Sequence, residues 1–330
     1  MILKSFARRF LLVATIILAM AMGSAALAAE VVLYSSNQPE LLDMVAQGFE
    51  KKSGTKVTVV RLGTGEAMKR IAAEKANPLC DIFWSGDVAV LDAAKANFAS
   101  YDSPEAKDLP ASYVDKDKKW TSSNTHLMII MVNTDLVKPE EMPKTWADIL
   151  KPEWKDKVVM ANPQKSGSAY AQVYGIYKIY GWDGLTKLID NAKILDSSSL
   201  VYKGTAEGEF AAAITMEYAA YRYVAGGATN VKIVYPEDGV IAAPEGGAII
   251  AGAKHEKEAQ AFLDYLISRD TVSEIYQKYY RRPARLDAVK IEGLPGVDEI
   301  NILKDFDPAE ANTLEKELLS KWRTLVLQKK

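Results

Sequence analysis

Short apolar runs alternate with longer amphipathic stretches along most of the chain. Runs of β-branched and apolar residues predict strands at 31–34, 56–61, 81–84, 127–132, 158–161, 211–216, 231–235 and 247–250. Helical periodicity predicts helices at 40–52, 66–76, 88–94, 169–180, 184–192, 217–225, 256–268, 272–280 and 309–327. This alternation is typical of α/β folding with mostly parallel sheets.

Two segments are predicted to cross between lobes. At 129–137 and again at 234–243, an apolar strand runs into a stretch punctuated by Pro or Gly. Two crossings give a discontinuous architecture, with residues 29–133 plus 240–330 in the first lobe and 134–239 in the second. A chain divided once, into two sequential domains, is the alternative.

The first 28 residues carry the pattern of a cleavable signal peptide. Lys4, Arg8 and Arg9 precede an almost purely apolar run, and small residues fill positions 23–28. The apolar run is shorter than the roughly 20 residues of a spanning helix, and no cysteine follows it to carry a lipid. We therefore expect cleavage after Ala28 and export to the periplasm.

Composition and charge narrow the class of the mature chain. Removing residues 1–28 takes away three basic residues and no acidic one, so the formal charge moves from −2 to about −5. A mildly acidic chain is a poor candidate for nucleic-acid binding, which needs concentrated basic charge. Cys80 is the only cysteine and lies in an apolar stretch, so no internal disulfide is possible and a buried thiol is expected.

Turns of small and hydroxyl residues lie between predicted strands and helices. They occupy 35–37, 63–66, 85–87 and 165–168, and 196–199 adds further hydroxyls. Helix N-termini leave backbone N–H groups unpaired and carry a partial positive charge, so they favour anions. Because ligands of α/β proteins bind at the carboxyl ends of strands, the turns predict an anion site; ordinary helix capping is the alternative for each.

No catalytic constellation is found, and no enzyme activity or cofactor is expected. His126 and His255 are the only histidines, and no nucleophile-elbow, zinc-protease or Walker pattern occurs. We expect His255 to be solvated in a charged turn, whereas His126 could face the cleft. An exported enzyme on the same scaffold is the remaining alternative of another class.

From residue 31 to 287 the chain resembles the iron(III), phosphonate and sugar-phosphate branch of periplasmic binding proteins of ABC importers. The resemblance lies in VLYSS (32–36), ANPLCDIFWSG (76–86), VNTDLV (132–137), NP (162–163) with SGSAY (166–170), YKG (202–204) with EGE (207–209), and YYRRPAR (279–285). It implies the type 2 periplasmic binding fold, in which two α/β lobes joined by two crossing strands enclose a ligand cleft. It also implies delivery of a solute to an inner-membrane permease; we expect a monomer.

The resemblance leaves two kinds of solute open. Its iron-binding members use a tyrosine pair from the second lobe with a histidine and an acid, and phenolates and carboxylates suit Fe(III). Here no adjacent pair follows the strand at 211–216; Tyr279 and Tyr280 lie elsewhere and are interpreted as packing. An iron site would have to use Glu217, Tyr218 and Tyr221.

Members that bind sugar phosphates or aminoethylphosphonate are the better match, and we expect a small anionic solute. In those members hydroxyl turns hold the phosphate and an acid after the strand holds the polar remainder. That acid is Glu217 here, with a structural role at its helix N-terminus as the alternative. The predicted ligand contacts are Ser35, Ser36, Asn37, Gly63, Thr64, Ser85, His126, Ser166, Gly167, Ser168, Glu217 and Tyr218.

Overall fold

Residues 29–304 and 306–329 are described by the computed structural model, and the predicted signal peptide, 1–28, lies outside the described residues. The strands are β1 Glu30–Ser35, β2 Lys56–Arg61, β3 Ile82–Asp87, β4 Thr121–Asn133, β5 Val158–Ala161, β6 Ala192–Leu195, β7 Ala212–Met216, β8 Val231–Val234, β9 Ile241–Ile249 and β10 Arg282–Pro283. The α-helices are α1 Pro39–Ser53, α2 Thr64–Ala73, α3 Val88–Ala93, α4 Trp146–Ile149, α5 Gly167–Asn191, α6 Ser198–Ala206, α7 Glu217–Ala225, α8 Glu256–Ile267, α9 Arg269–Tyr279 and α10 Pro308–Gln328. Short 3-10 helices occupy Lys95–Asn97, Pro104–Asp108, Ala111–Tyr113, Pro139–Glu141, Pro152–Trp154 and Val297–Glu299.

The strands form a curled mixed sheet in the order β2-β1-β3-β9-β4-β7-β5-β6. β1 is parallel to β2 and β3, and β5 is parallel to β6 and β7. We call the half around β1–β3 the first lobe and the half around β5–β7 the second lobe. β9 is antiparallel to β3, and β4 is antiparallel to β7, β8 and β9. The prediction of mostly parallel sheets is therefore wrong at the strands between the lobes.

Strand β4 carries the chain from the first lobe into the second. All 13 of its residues are buried. Its first half pairs with β9 and β10, and its second half pairs with β7 and β8. The chain returns through β8 and β9, so two strand segments link the lobes. The predicted α/β class with two crossing strands is confirmed.

Several local elements differ from the sequence-based assignment. The predicted helices at 169–180 and 184–192 meet at Gly181, which breaks α5 with φ 59° and ψ −157°, a conformation open mainly to glycine. Strands β6 and β10 and helices α4 and α6 were not predicted. The serine-rich sequence at the start of α6 is more typical of a turn than of a helix, because hydroxyl side chains compete for backbone hydrogen bonds.

Helix α10 packs against both lobes. Leu318 and Trp322 are 1% exposed and belong to the core of the second lobe, together with Ala89 from helix α3 of the first lobe. Tyr170 on α5 donates a hydrogen bond to the Ala311 carbonyl of α10. The limits 29–133 plus 240–330 and 134–239 stay a prediction, and α10 lies across the division that they draw.

Cys80 and His255 are both held within the first lobe. Cys80 is 2% exposed, and burial raises the pKa of its thiol. His255 is only partly exposed, because its Nδ1 lies 2.9 Å from the buried Asp81 Oδ2 and its backbone N–H donates to Oδ1 of the same carboxylate. The expectation of a solvated His255 is thus wrong in part, since Asp81 anchors this turn to the sheet.

Candidate functional site

A polar cleft of about 290 Å³ lies between the two lobes, beside the crossing strands. This volume is at the lower end of the roughly 300–1,000 Å³ range of small-molecule sites. The cleft is lined by Ser36, Asn37, Gly63, Thr64, Ser85, Asp87, His126, Lys165, Ser166, Gly167, Ser168, Asp196, Ser197, Ser198, Met216, Tyr218, Glu245 and Arg281. Ten of the twelve predicted contacts are among these residues.

The first-lobe wall, defined as the cleft residues from 36 to 87, is built on hydroxyl groups. Ser36 Oγ lies 2.9 Å from Thr64 Oγ1 and 2.8 Å from Ser85 Oγ. The Ser36 N–H donates to Ser85 Oγ at 2.7 Å. The three side chains come from the ends of β1 and β3 and from the first residue of α2, so the strand ends hold a connected set of donors and acceptors.

Backbone irregularity at the end of β3 aims Ser85 at this wall. Ser85 has φ 95°, a region that non-glycine residues rarely adopt. The pairing of β3 with β9 shifts register between Trp84 and Gly86, so Ser85 leaves the ladder at a bulge. A Cβ on Gly86 would lie 2.6 Å from a Leu91 methyl and 2.8 Å from the Phe83 ring, which fixes glycine next to the bulge.

Two features of the first-lobe wall leave polar groups available to a ligand. The Asn37 Nδ2 group is buried and has no hydrogen-bond partner among the described residues, an arrangement that is costly unless a ligand or water satisfies it. Helix α2 begins after Gly63, and a Cβ on Gly63 or Gly65 would meet no neighbouring atom within 4 Å. The first turn of α2 is therefore open to the cleft.

The second-lobe wall, defined as the cleft residues 165–168 and 196–198, joins two helix N-termini. Ser166 caps α5 by accepting a hydrogen bond from the Ala169 N–H at 3.3 Å. Its Oγ lies 3.0 Å from Ser168 Oγ and 2.8 Å from Ser198 Oγ in the first turn of α6. The fields of two helix N-termini thus meet at one cluster of serines.

Lys165 and Asp196 form an exposed ion pair at the rim of the second-lobe wall. Lys165 Nζ lies 2.5 Å from Asp196 Oδ2, and this hydrogen bond lowers the pKa of Asp196. Exposed pairs of this kind contribute little to stability. Both side chains can rearrange when a ligand enters.

We define the floor of the cleft as His126, Tyr218, Glu245 and Arg281. Two of these residues, Arg281 and Glu245, form a buried ion pair. Arg281 Nη1 lies 3.1 Å from Glu245 Oε1 and 3.3 Å from His126 Nε2. Arg281 is 4% exposed and Glu245 is 8% exposed. A fixed cation beside hydroxyl walls suits an anionic group, and its carboxylate partner suits hydroxyl or ammonium donors.

Two hydrogen-bond donors fix the protonation state of His126. Asn124 Nδ2 lies 3.0 Å from His126 Nε2, and Ser123 Oγ donates to Asn124 Oδ1, which orients the amide. Arg281 Nη1 also points at Nε2, at 3.3 Å, and Glu245 Oε2 lies farther away, at 3.6 Å. Since a guanidinium can only donate, this arrangement favours the tautomer in which Nε2 accepts and Nδ1 carries the proton. Burial lowers the pKa of His126 to about 4, with the neighbouring Arg281 lowering it further and Glu245 opposing, so the ring is neutral at pH 7.

Tyr218 packs between the other members of the floor. The Arg281 guanidinium carbon lies 4.5 Å from the centre of the Tyr218 ring, a cation–π arrangement. The His126 and Tyr218 rings are 5.0 Å apart. Burial raises the pKa of Tyr218, so it is a neutral phenol at pH 7.

Asp87 places a second carboxylate in the cleft. Its Oδ1 accepts a hydrogen bond from the Ala89 N–H at 2.9 Å and caps α3. Burial raises the pKa of Asp87 to about 7; the backbone hydrogen bond opposes this shift, and Glu245 and Glu315 add to it. Its charge therefore changes near neutral pH.

Two of the predicted ligand contacts lie outside the cleft lining. Ser35 is fully buried behind the first-lobe wall, with its Oγ 3.2 Å from Ser85 Oγ and accepting from the Asn37 N–H. Glu217 points away from the cleft, because both of its carboxylate oxygens bind Arg282. Neither residue reaches the cleft in this conformation.

The residues of the alternative iron set are not brought together. Tyr218 lies in the floor, whereas Glu217 is paired with Arg282. The Tyr221 hydroxyl donates to the Glu292 carbonyl at 3.0 Å, and its ring packs 4.8 Å from that of Tyr280. That last contact agrees with a packing role for Tyr280.

Several cleft residues were missed from the sequence. Asp87 and Lys165 lie in the predicted turns 85–87 and 165–168, and Asp196, Ser197 and Ser198 lie in the hydroxyl segment 196–199, so local signals existed for them. Met216, Glu245 and Arg281 had no local signal, since only the pairing of β7, β9 and β10 with β4 brings them to the cleft.

Residues 77–304 match the family of bacterial extracellular solute-binding proteins. Over 267 residues the chain is 25% identical to the Fe(3+)-binding periplasmic protein of Serratia marcescens, covering 76% of this chain and 78% of that protein.

Solved structures show the same fold. The chain is similar to the periplasmic binding protein AfuA from Actinobacillus pleuropneumoniae with exogenous fructose-6-phosphate bound (TM-score 0.83, 22% identity, 90% of this chain and 98% of that one). It is also similar to iron-bound HitA from Pseudomonas aeruginosa (TM-score 0.81, 21% identity, 90% and 99%). These likenesses confirm the predicted type 2 periplasmic binding fold.

Proposed function

Because the chain belongs to the bacterial extracellular solute-binding proteins, we propose that it captures a small anionic organic solute, such as a sugar phosphate or a phosphonate. Proteins of this family bind a small solute in the periplasm and deliver it to the permease of an ABC importer. What this chain adds is a cleft whose donors suit a phosphoryl or phosphonyl group.

The observation that carries the proposal is the pair of hydroxyl walls around one buried cation. On the first lobe, Ser36 and Ser85 lie at the ends of β1 and β3, and Thr64 begins helix α2. On the second lobe, Ser166, Ser168 and Ser198 lie at the N-termini of helices α5 and α6. Helix N-termini and serine hydroxyls bind phosphate oxygens, and Arg281 supplies a full positive charge. A tetrahedral anion would find donors on both lobes.

The remainder of the solute would meet acceptors. Glu245 and Asp87 line the cleft with carboxylates, and both can accept hydrogen bonds from sugar hydroxyls or pair with an amine. We assign to Glu245 the role that was predicted for Glu217, because the Glu217 oxygens are already bound by Arg282. A neutral, purely apolar tail would leave these groups unsatisfied.

Capture would proceed by closure of the lobes about β4 and the β8–β9 segment. A solute that touches both walls stabilises the closed arrangement over the open one, since only the closed arrangement makes both sets of contacts. The closed form would then dock on the permease.

Thermal-shift titration of the mature chain tests the proposal. Glucose 6-phosphate, 2-aminoethylphosphonate, inorganic phosphate, glucose and ferric citrate are compared, because binding raises the melting temperature with the logarithm of ligand concentration over Kd. We expect a phosphorylated or phosphonylated compound to raise it and glucose to have no effect. Stabilisation by ferric salts alone would overturn the proposal.

Ferric iron is the second candidate, favoured by the Fe(3+)-binding relative and the iron-bound structural neighbour. In this cleft a ferric complex would have to use Tyr218 with His126 and Glu245. It would have to displace the Arg281 guanidinium, which lies 3.3 Å from His126 Nε2, and to deprotonate Tyr218. A tyrosinate-to-iron absorption band at one equivalent of Fe(III), absent from a Tyr218→Phe variant, would establish this candidate.

A further inference from the structure

Neighbouring residues at the floor of the cleft point in opposite directions. Met216 and Tyr218 line the cleft, whereas Glu217 between them does not. Arg281 lines the cleft, whereas Arg282 pairs with the β4 strand and points away. The two residues that point away meet each other behind the floor.

Glu217 and Arg282 form a buried ion pair through two hydrogen bonds. Arg282 Nε lies 2.5 Å from Glu217 Oε2, and Arg282 Nη2 lies 2.7 Å from Oε1. The Tyr235 hydroxyl donates to Oε1, and Arg282 Nη2 also donates to the Pro295 carbonyl at 2.8 Å. Glu217 is 1% exposed and Arg282 is 5% exposed, so solvent does not screen the pair.

The pair also joins the two lobes. Glu217 is the first residue of α7 and follows the second-lobe strand β7. Arg282 belongs to β10, which pairs with Thr125 and Asn124 in the first-lobe half of β4. A two-bond contact between carboxylate and guanidinium fixes both distance and orientation, so it sets the position of α7 relative to β10.

We propose that Glu217 and Arg282 are a positioning pair that holds Arg281 against Tyr218 at the floor. The peptide units between 217 and 218 and between 281 and 282 are planar and stiff, so a shift of the pair moves both cleft residues. This role deepens the proposed function by naming what presents the cation to the solute, and its geometric part holds whichever solute binds.

The geometric part is tested without a ligand by NMR of the arginine Nε–H groups. Residues 29–330 contain eight arginines, and loss of one peak in Arg281→Lys assigns Arg281. The Tyr218 ring current should shift this resonance in the native chain, and in Glu217→Gln it should move toward the position of a free guanidinium. An unmoved resonance in folded Glu217→Gln overturns the proposal.

A matched control separates positioning from general loosening. Glu105→Gln removes the negative charge that lies 2.8 Å from Arg285, another buried arginine in the same segment of the chain as Arg281. It should leave the Arg281 resonance in place. If Glu217→Gln does not fold, Arg282→Lys keeps the charge but loses the two-bond contact, and it should move the resonance in the same direction.

The functional part is tested by a double-mutant cycle with the phosphorylated compound that binds best. Glu217→Gln should weaken binding by about ten- to a hundredfold, by analogy with the loss seen when groups that orient metal ligands are removed. With Arg281→Ala already present, it should change the Kd by no more than about twofold, the limit of additivity for independent sites. Equal losses in both backgrounds overturn the positioning role, whereas failure of the native chain to bind any tested anion counts against the proposed function alone.

Discussion

Arg281 and Arg282 are consecutive, yet they form ion pairs of opposite character. Arg282 uses Nε and Nη2 on Glu217 and has a carbonyl partner as well. Arg281 makes its two described hydrogen bonds through Nη1 alone, to Glu245 and His126. The Glu217–Arg282 pair uses both carboxylate oxygens and two guanidinium nitrogens. The Glu245–Arg281 pair leaves other guanidinium N–H groups and a carboxylate oxygen that can bind a solute.

The difference shows that two neighbouring arginines can serve different ends: Arg282 mainly stabilises the fold, and Arg281 is available to bind a solute. A buried pair with all partners present resists reorganisation, and removing one member is strongly destabilising. A pair that lines a cleft can exchange one partner for a ligand at a smaller cost. The following experiments would break or sharpen this division.

The largest effect is expected from Glu217→Ala, which leaves Arg282 buried without a counter-charge. We expect the free energy of unfolding to fall by about 3–5 kcal/mol. Glu245→Ala should lower it by about 1–3 kcal/mol, because Arg281 can turn to water in the cleft. Urea unfolding of both variants measures this, and equal losses would remove the distinction between the pairs.

The next largest effect concerns binding of the anion. Arg281→Ala removes a charge-assisted hydrogen bond to the anion, worth about 1.5–3 kcal/mol, or roughly 10- to 150-fold in Kd. Isothermal titration with the bound phosphorylated compound measures it. Arg323→Ala, on the exposed side of α10, is the matched control and should bind the compound like the native chain. If Arg281→Ala also bound it like the native chain, the Arg281 cation would not be part of the site.

A smaller effect is expected from the second-lobe wall. Ser166→Ala with Ser168→Ala removes two hydroxyls at about 0.5–1.5 kcal/mol each, so anion binding should weaken by roughly tenfold without unfolding the chain. Ser100→Ala with Ser320→Ala removes two exposed hydroxyls outside the cleft lining and serves as the control. Unchanged affinity in the cleft variant would show that these serines only cap helices.

The smallest effect is a pH dependence through Asp87. Its pKa of about 7 means that it gains negative charge as the pH rises from 6 to 8, so anion affinity should fall by a few-fold over that range. Asp87→Asn should remove the fall, and comparison of the two chains cancels the titration of the phosphate itself. A fall that persists in Asp87→Asn would exclude Asp87 as its source.

Asp87 also makes the stability of the folded chain depend on pH. Between the ordinary value of 3.8 and about 7, the folded chain keeps a proton that the unfolded chain has released. Stability from this group therefore decreases as the pH rises through that window. Unfolding of Asp87→Asn between pH 4 and 7 should lack this contribution.

The hydroxyl walls could be predicted because their signals are local. Ser36, Thr64, Ser85 and Ser166 each lie in a turn between a predicted strand and a predicted helix, and the carboxyl ends of strands meet at one edge of a sheet. The floor could not be predicted in the same way. Arg281 and Glu245 are far apart in the chain, and their meeting depends on the register of β9 and β10 along β4.

Glu217 shows why a motif position does not fix a role. Its place after the Ala-Ile-Thr strand predicts a cleft carboxylate, yet the side chain turns away at the transition from β7 to α7. Which of residues 216, 217 and 218 faces the cleft depends on where extended backbone becomes helical. A shift of one residue exchanges the two sides, and element boundaries are the least reliable part of sequence-based assignment.

Helix α10 has a consequence for the order of folding during export. The second-lobe core contains Leu318 and Trp322 beside side chains of α5, more than 100 residues earlier in the chain. Contacts between distant segments slow folding, because a long loop must close before any burial is gained. Until residues 308–328 are available to fold, the second lobe has an incomplete apolar core, and exposed apolar surface of this kind favours aggregation.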